Sequence, residues 1–216
     1  EKQQQKYYSS VFRNINIQGE VLLPQESRAS LYFLDKDLVQ FFEPEFFKSY
    51  LVKGVSNETK IDFVRCLSLL SQYKKDNSTH NVARSYKQQM EKYYEEYIYS
   101  VVSDIDNKYG KFSTIFPNKK YDDRFLNLQE ALTSLEIPKQ FPSIIDSDMY
   151  FFGIINVIVF DNKTIDVTKK DELKQKIENQ IAEFKNNASH TKAPSNLGHL
   201  RARIISSVEI YNEYAS

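Results

Sequence analysis

Residues 149–160 read MYFFGIINVIVF, the longest apolar run in the chain, interrupted only by Gly153 and Asn156. The run is apolar on every side and rich in β-branched residues, so periodicity alone does not separate a buried helix from a buried strand. Three observations favour helix. Asp146-Ser147-Asp148 stands in front of it in the manner of an N-cap. Twelve residues is long for a strand, and no second strand is evident to pair with it. A membrane span needs about 20 such residues. The segment therefore reads as a buried central helix of an all-α protein.

Working outward, apolar residues recur at three-and-four spacing on both sides of this segment, the pattern of amphipathic helices. Upstream, Tyr7, Tyr8, Val11, Phe12 and Ile15 form one stripe closed by Gly19, and Pro24 opens a short helix bearing Leu31 and Tyr32. Asp35 or Asp37 caps a third helix carrying Leu38, Phe41, Phe42 and Phe46, with Pro44 bending or breaking it. Thr59 and Asp62 suggest a capping box before Val64, Leu67, Leu70 and Tyr73. The longest helix is predicted from about Asn81 to Asp106, and another runs from Tyr121 through Leu135 until Pro138. Downstream, Thr168 with Asp171 predicts a helix over Leu173, Ile177, Ile181 and Phe184, and Ser195 a last one through Leu200 to Tyr211. Gly110 to Lys120 and Phe160 to Val167 read as loops, neither marking a domain boundary. The expectation is one compact unit, residues 1–216, of about nine helices.

Composition narrows the function. The chain has 216 residues, 41% hydrophobic and 27% charged, which fits a globular fold and argues against wholesale disorder. Twenty-nine basic residues balance 29 acidic ones, so a protein that coats a polyanion is disfavoured while a local basic face is not. A single cysteine, Cys66, excludes an internal disulfide and any cysteine cluster, and three scattered histidines build no metal site. No charged-then-apolar leader follows Glu1, which predicts a soluble, cytoplasmic protein without a membrane partner. An opening glutamate in place of methionine suggests a fragment.

The segment VFRNINIQGEVLLPQESRASLYFL at 11–34 carries more specific information. Arg13, Ile15-Asn16, Gly19, Leu22 or Leu23, Glu26 and Arg28 follow the spacing R-x-N-x-x-G-x-x-L-x-x-x-E-x-R, with Asn14 inserted where the pattern has arginine directly before isoleucine. KIDFVRCLSLLSQY at 60–73 continues the match with Asp62 and Arg65. This resembles the second motif block of the GmrSD-type restriction family, over about 60 residues, and the rest follows by helix pattern only. The resemblance implies the helical half of the amino-terminal region of a bacterial defence protein that cuts modified or foreign DNA. Such proteins pair a ParB-like domain upstream with an HNH nuclease downstream, and use a nucleoside triphosphate with magnesium.

The family's Asp-Gly-Gln-Gln-Arg motif and its HNH signature are both absent from this sequence, so the resemblance implies no catalytic residue and no cofactor of this chain's own. It implies instead that Arg13, Asn16, Gly19, Glu26 and Arg28 support a nucleotide pocket completed by the missing domain, and that nucleotide state is relayed to DNA cleavage. Independently of the family, a left-handed turn at Gly19 followed by Pro24 holds these residues at one tight corner. An arginine fork there can grip a phosphate or brace a neighbouring loop. The plainer reading is that Glu26 and Arg28 only tie the corner to other helices.

Between Glu183 and Glu209 there is no acidic residue, while Lys185, Lys192, Arg201 and Arg203 are basic and His190 and His199 join them. This is the best DNA-binding candidate, as part of a helical module that binds DNA or protein, against the commoner reading of a solvated face. The pairs Asp104/Asp106, Asp122/Asp123 and Asp146/Asp148 read as caps rather than metal ligands. Tyr93 and Tyr97 read as core, and Cys66 as a buried, inert thiol.

Overall fold

The structure is a computed structural model that describes residues 24–54 and 56–216, with the side chains of Gln25, Glu26 and Lys119 left out. The predicted stripe from Tyr7 to Ile15, with Arg13, Asn16 and Gly19, lies outside the described residues.

The apolar segment is a helix, α7 (Ile144–Ile155), and it is the axis of the fold. Every residue from Ile145 to Ile155 is buried, as a helix without a polar face must be. Its N-cap is not the acidic pair but Ser143, whose hydroxyl accepts from the Ile145 N–H at 3.2 Å. Asp146 and Asp148 lie inside the helix and are buried, so the capping reading of this pair is corrected. Beyond Ile155 the helix widens into one π-turn, Asn156–Phe160, closed by the Asp161 N–H donating to the Asn156 carbonyl at 2.9 Å.

Around this axis stand α1 (Pro24–Ala29), α2 (Lys36–Phe42), α3 (Phe63–Asp76), α4 (Met90–Ser103), α5 (Phe112–Ile115) and α6 (Asp122–Ser134). After α7 come α8 (Lys170–Asn186), α9 (Ala188–Lys192) and α10 (Leu197–Asn212). A single core spans Leu31 to Tyr214 and includes the buried Tyr93, Tyr97 and Cys66 expected from the sequence. One aromatic node sits near its N-terminal end, where Phe41 packs on Phe42, Phe112, Phe116, Tyr121 and Phe125 at centroid distances of 4.9–5.7 Å.

The fold is mostly helical, but the all-α expectation misses a small sheet. Strands β1 (Leu51–Lys53), β2 (Glu58–Lys60) and β3 (Gln140–Phe141) lie in the order β2-β1-β3. β1 pairs antiparallel with β2 and parallel with β3, which places Val52 opposite both Thr59 and Phe141. Strands of two or three residues leave no period to detect, and β3 pairs across almost ninety positions of chain. Thr59 therefore belongs to a strand, and Asp62 alone caps α3, accepting from the Arg65 N–H at 3.2 Å.

The helix predicted over 81–106 is shorter. Ala83 and Ser85 take positive φ (52° and 73°) ahead of it, and Asp104 (φ 50°) stops it in a left-handed C-cap. Asn196 rather than Ser195 caps α10 through the Gly198 N–H, and Asp166 rather than Thr168 opens the turn before α8. The loop expected at Gly110 to Lys120 contains α5 and a 3₁₀ turn. No helix among the described residues is long and apolar enough to cross a membrane.

Candidate functional site

Arg28 lies in the last turn of α1 and is 2% exposed. Its Nη2 donates to Asp62 Oδ2 at 2.5 Å, while Oδ1 of the same carboxylate caps α3. Its Nε lies 2.9 Å from Glu91 Oε2 on α4, an ion pair whose angle is wrong for a hydrogen bond, and its Nη1 is without a partner. The guanidinium carbon stands 4.9 Å from the Tyr94 ring centre. Burial opposes its charge, but Asp62 and Glu91 outweigh burial and hold the Arg28 pKa above its ordinary value. Burial likewise raises the Glu91 carboxyl, with Arg28 pulling the other way.

One arginine thus joins α1, the start of α3 and the start of α4. This is the tying role that the plainer reading gave Arg28. Glu26, on the same helix, has its side chain outside the described residues.

Arg28, Asp62 and Glu91 form one wall of a cleft of about 610 Å³. Tyr32, Phe42, Phe47, Ile61 and Phe63 line it with apolar atoms, and all three residues of β2 line it too. Tyr32 donates from its hydroxyl to Glu43 Oε1 at 2.6 Å inside it, and burial followed by that bond pushes the phenol well up. Of the charged residues lining the cleft, four are acidic and three basic, and one of the bases, Lys48, is already paired with Glu45 at 2.8 Å. The wall around Arg28 is consequently rich in carboxylate rather than cationic.

A second polar assembly lies in the core. Arg65 on α3 grips both oxygens of Asp148 at 2.5 and 2.8 Å. Arg203 on α10 donates to Asp148 Oδ2 at 2.9 Å, meets His190 Nε2 at 2.8 Å and donates to the Pro194 carbonyl at 2.8 Å. Asp148 and Arg203 are 2% and 0% exposed. His190 stacks on Phe184 and His199, with centroids at 4.5 and 4.4 Å. Burial first, then Arg203 and His199, lowers the imidazole pKa to about 4. Nearby, Asp146 receives Lys185 at 2.6 Å and the Ser143 hydroxyl at 2.6 Å.

Three of the four cations of the expected DNA face have partners within the protein. Arg203 is inside the protein, Lys185 is paired with Asp146, and Arg201 donates twice to the Val82 carbonyl at 3.0 and 2.7 Å. Lys192 is exposed. For Lys185 and Arg203 the physical reason is the buried aspartates of α7, Asp146 and Asp148, which hold these two cations.

Other candidates resolve simply. Asp104 accepts from the Ser113 N–H at 2.8 Å, Asp106 pairs with Lys75, and Asp122 and Asp123 occupy the first turn of α6. Burial pushes the Cys66 thiol far above its ordinary value. Among the described residues, no group of three or more His, Cys, Asp or Glu is placed to hold a metal ion. Glu91 and Asp148 were not singled out for these roles from sequence. An aspartate beside an otherwise apolar helix was the available signal for Asp148, whereas nothing local marks Glu91. No family model, curated protein or solved structure matches this chain.

Proposed function

We propose that the chain is a non-catalytic helical interaction module, the helical subdomain of a nucleotide-dependent DNA-restriction protein, which docks a neighbouring polypeptide at the cleft beside Arg28. The restriction setting rests on the resemblance over residues 11–34 and 60–73. The docking role rests on one observation: Arg28 is already held by Asp62 and Glu91 at the wall of the cleft, so it braces a corner rather than offering a free cation. A phosphate entering there meets two carboxylates for one guanidinium, which is poor anion-binding chemistry. In the nucleotide-pocket reading, Arg13, Asn16, Gly19 and Glu26 remain the proposed support, with Arg28 acting by fixing the corner.

Titration of the chain with ATP or GTP and magnesium tests this. No binding heat and no hydrolysis are expected from the chain alone. Saturable nucleotide binding that disappears on Arg28→Ala would replace the docking role with a phosphate-contacting one. The alternative, DNA binding through 185–203, would rest chiefly on Lys192, and predicts an affinity that collapses with salt.

A further inference from the structure

The outer edge of β2 and the cleft beside it form one continuous feature. The Ile61 N–H donates to the Tyr50 carbonyl at 3.0 Å and the Gly54 N–H to the Asn57 carbonyl at 2.9 Å. In the antiparallel register these bonded positions alternate, so Thr59 turns its backbone groups toward Val52. Glu58 and Lys60 turn theirs away from the sheet. β2 is the outermost strand among the described residues, and all three of its residues are exposed. A short, charged strand is also how proteins guard an edge. What distinguishes this one is the cleft next to it, lined by the edges of the core rings of Tyr32, Phe42 and Phe47 and by a wall of two carboxylates, Asp62 and Glu91, for one guanidinium. Glu91 on that wall is 46% exposed; its Oε2 is buried against Arg28, which leaves Oε1 to meet an occupant.

We infer that this groove takes an extended peptide segment of a partner protein, which pairs its backbone with Glu58 and Lys60 and sets a lysine or arginine side chain against Glu91. The backbone edge dictates an extended occupant, and charge complementarity dictates a basic one. Within such a strand, side chains alternate between the cleft and solvent, so one basic residue flanked at alternate positions by apolar ones fits that lining. This rests on the docking role proposed above and names the chemistry of the docked segment.

The test is fluorescence anisotropy with the whole chain and a short fluorescein-labelled peptide of alternating valine and threonine bearing one central arginine. Saturable binding is expected. It weakens about tenfold when the arginine is replaced by glutamate, and by a similar factor when the peptide backbone is N-methylated on the pairing edge. Glu91→Gln, with its fold checked by circular dichroism, weakens binding about fivefold, while the exposed Glu130→Gln on α6 leaves it unchanged. Equal binding of the arginine and glutamate peptides, or indifference to N-methylation, overturns the inference. A concentration-dependent dimer in sedimentation that competes with the peptide assigns the edge to a second copy and also overturns it. Absence of binding to all peptides sinks the inference while leaving intact the docking of a folded, non-extended segment at the cleft. Absence of peptide binding together with tight nucleotide binding sinks both.

Discussion

The Ser207 hydroxyl of α10 stands against the backbone of α7 at Gly153, accepting from the Gly153 N–H at 2.7 Å and donating to the Met149 carbonyl at 2.7 Å. It bridges two groups that an undisturbed α-helix joins to each other. The approach is possible because residue 153 has no side chain. A Cβ there would lie 2.2 Å from Tyr211 Cδ2 and 2.3 Å from the Ser207 carbonyl oxygen. Gly153→Ala is therefore expected to destabilise the protein by about 3 kcal/mol or more, since one of the clashing atoms is backbone. Ser207→Ala should cost about 1 kcal/mol, the net worth of a buried hydroxyl bridge. Urea denaturation of both variants measures the difference.

Asp148 carries the charge that two arginines share, Arg203 fully buried and Arg65 15% exposed. Asp148→Asn leaves Arg65 and Arg203 facing one neutral amide in the core. The expected loss is about 3–5 kcal/mol, the range for an uncompensated buried charge. Replacing Asp148 by Leu together with Arg65→Met and Arg203→Met should recover part of it, because no charge is then left stranded. Equal stability of the single and triple variants would contradict this account.

His190 predicts an acid sensitivity. Its folded pKa of about 4 lies below the ordinary 6.5, so the unfolded chain binds the proton more readily. Stability from this group is complete above about pH 6.5 and is lost as pH falls toward 4. The loss is on the order of 3 kcal/mol, the energy equivalent of the shift. Arg203 Nη1 faces His190 Nε2, which is the acceptor in the neutral ring, so protonation turns a hydrogen bond into a clash of cations. Unfolding free energies measured between pH 7 and 4 should fall more steeply for the native chain than for His190→Gln.

Arg28 and Glu91 separate in size. Arg28→Met strands Asp62 against the end of α1 and should cost about 2 kcal/mol, below the fully buried range because Glu91 is partly solvated. Glu91→Gln should cost well under 1 kcal/mol. Amide hydrogen exchange is expected to accelerate at 27–34 in Arg28→Met and much less in Glu91→Gln.

The parts of the fold readable from sequence were those that repeat. The all-round apolar segment at 149–160, the stripes through Leu67 and Leu128, and the buried Tyr93 and Tyr97 all follow from helical periodicity. The sheet was not readable, since Val52 and Thr59 pair in strands of only three residues and Val52 finds Phe141 across almost ninety positions of chain. Of the candidate site, Arg28 was singled out, and Asp62 was noted as a cap and as a match to the family block. Their pairing with each other and with Glu91 depends on how three helices meet. The placing of Lys185 and Arg203 was hidden for the same reason: a run of cations says nothing of the buried aspartates that hold two of them.

The Arg65–Asp148–Arg203 assembly also sets an order of events during synthesis. Arg65 and Asp148 leave the ribosome well before Arg203, which follows Asp148 by 55 residues on the helix that covers Gly153. Until α10 emerges, α7 exposes an apolar groove and Asp148 has only one of its two cations. The centre of the fold must therefore wait for residues 197–212 before it can close, and chaperone engagement should concentrate in that interval.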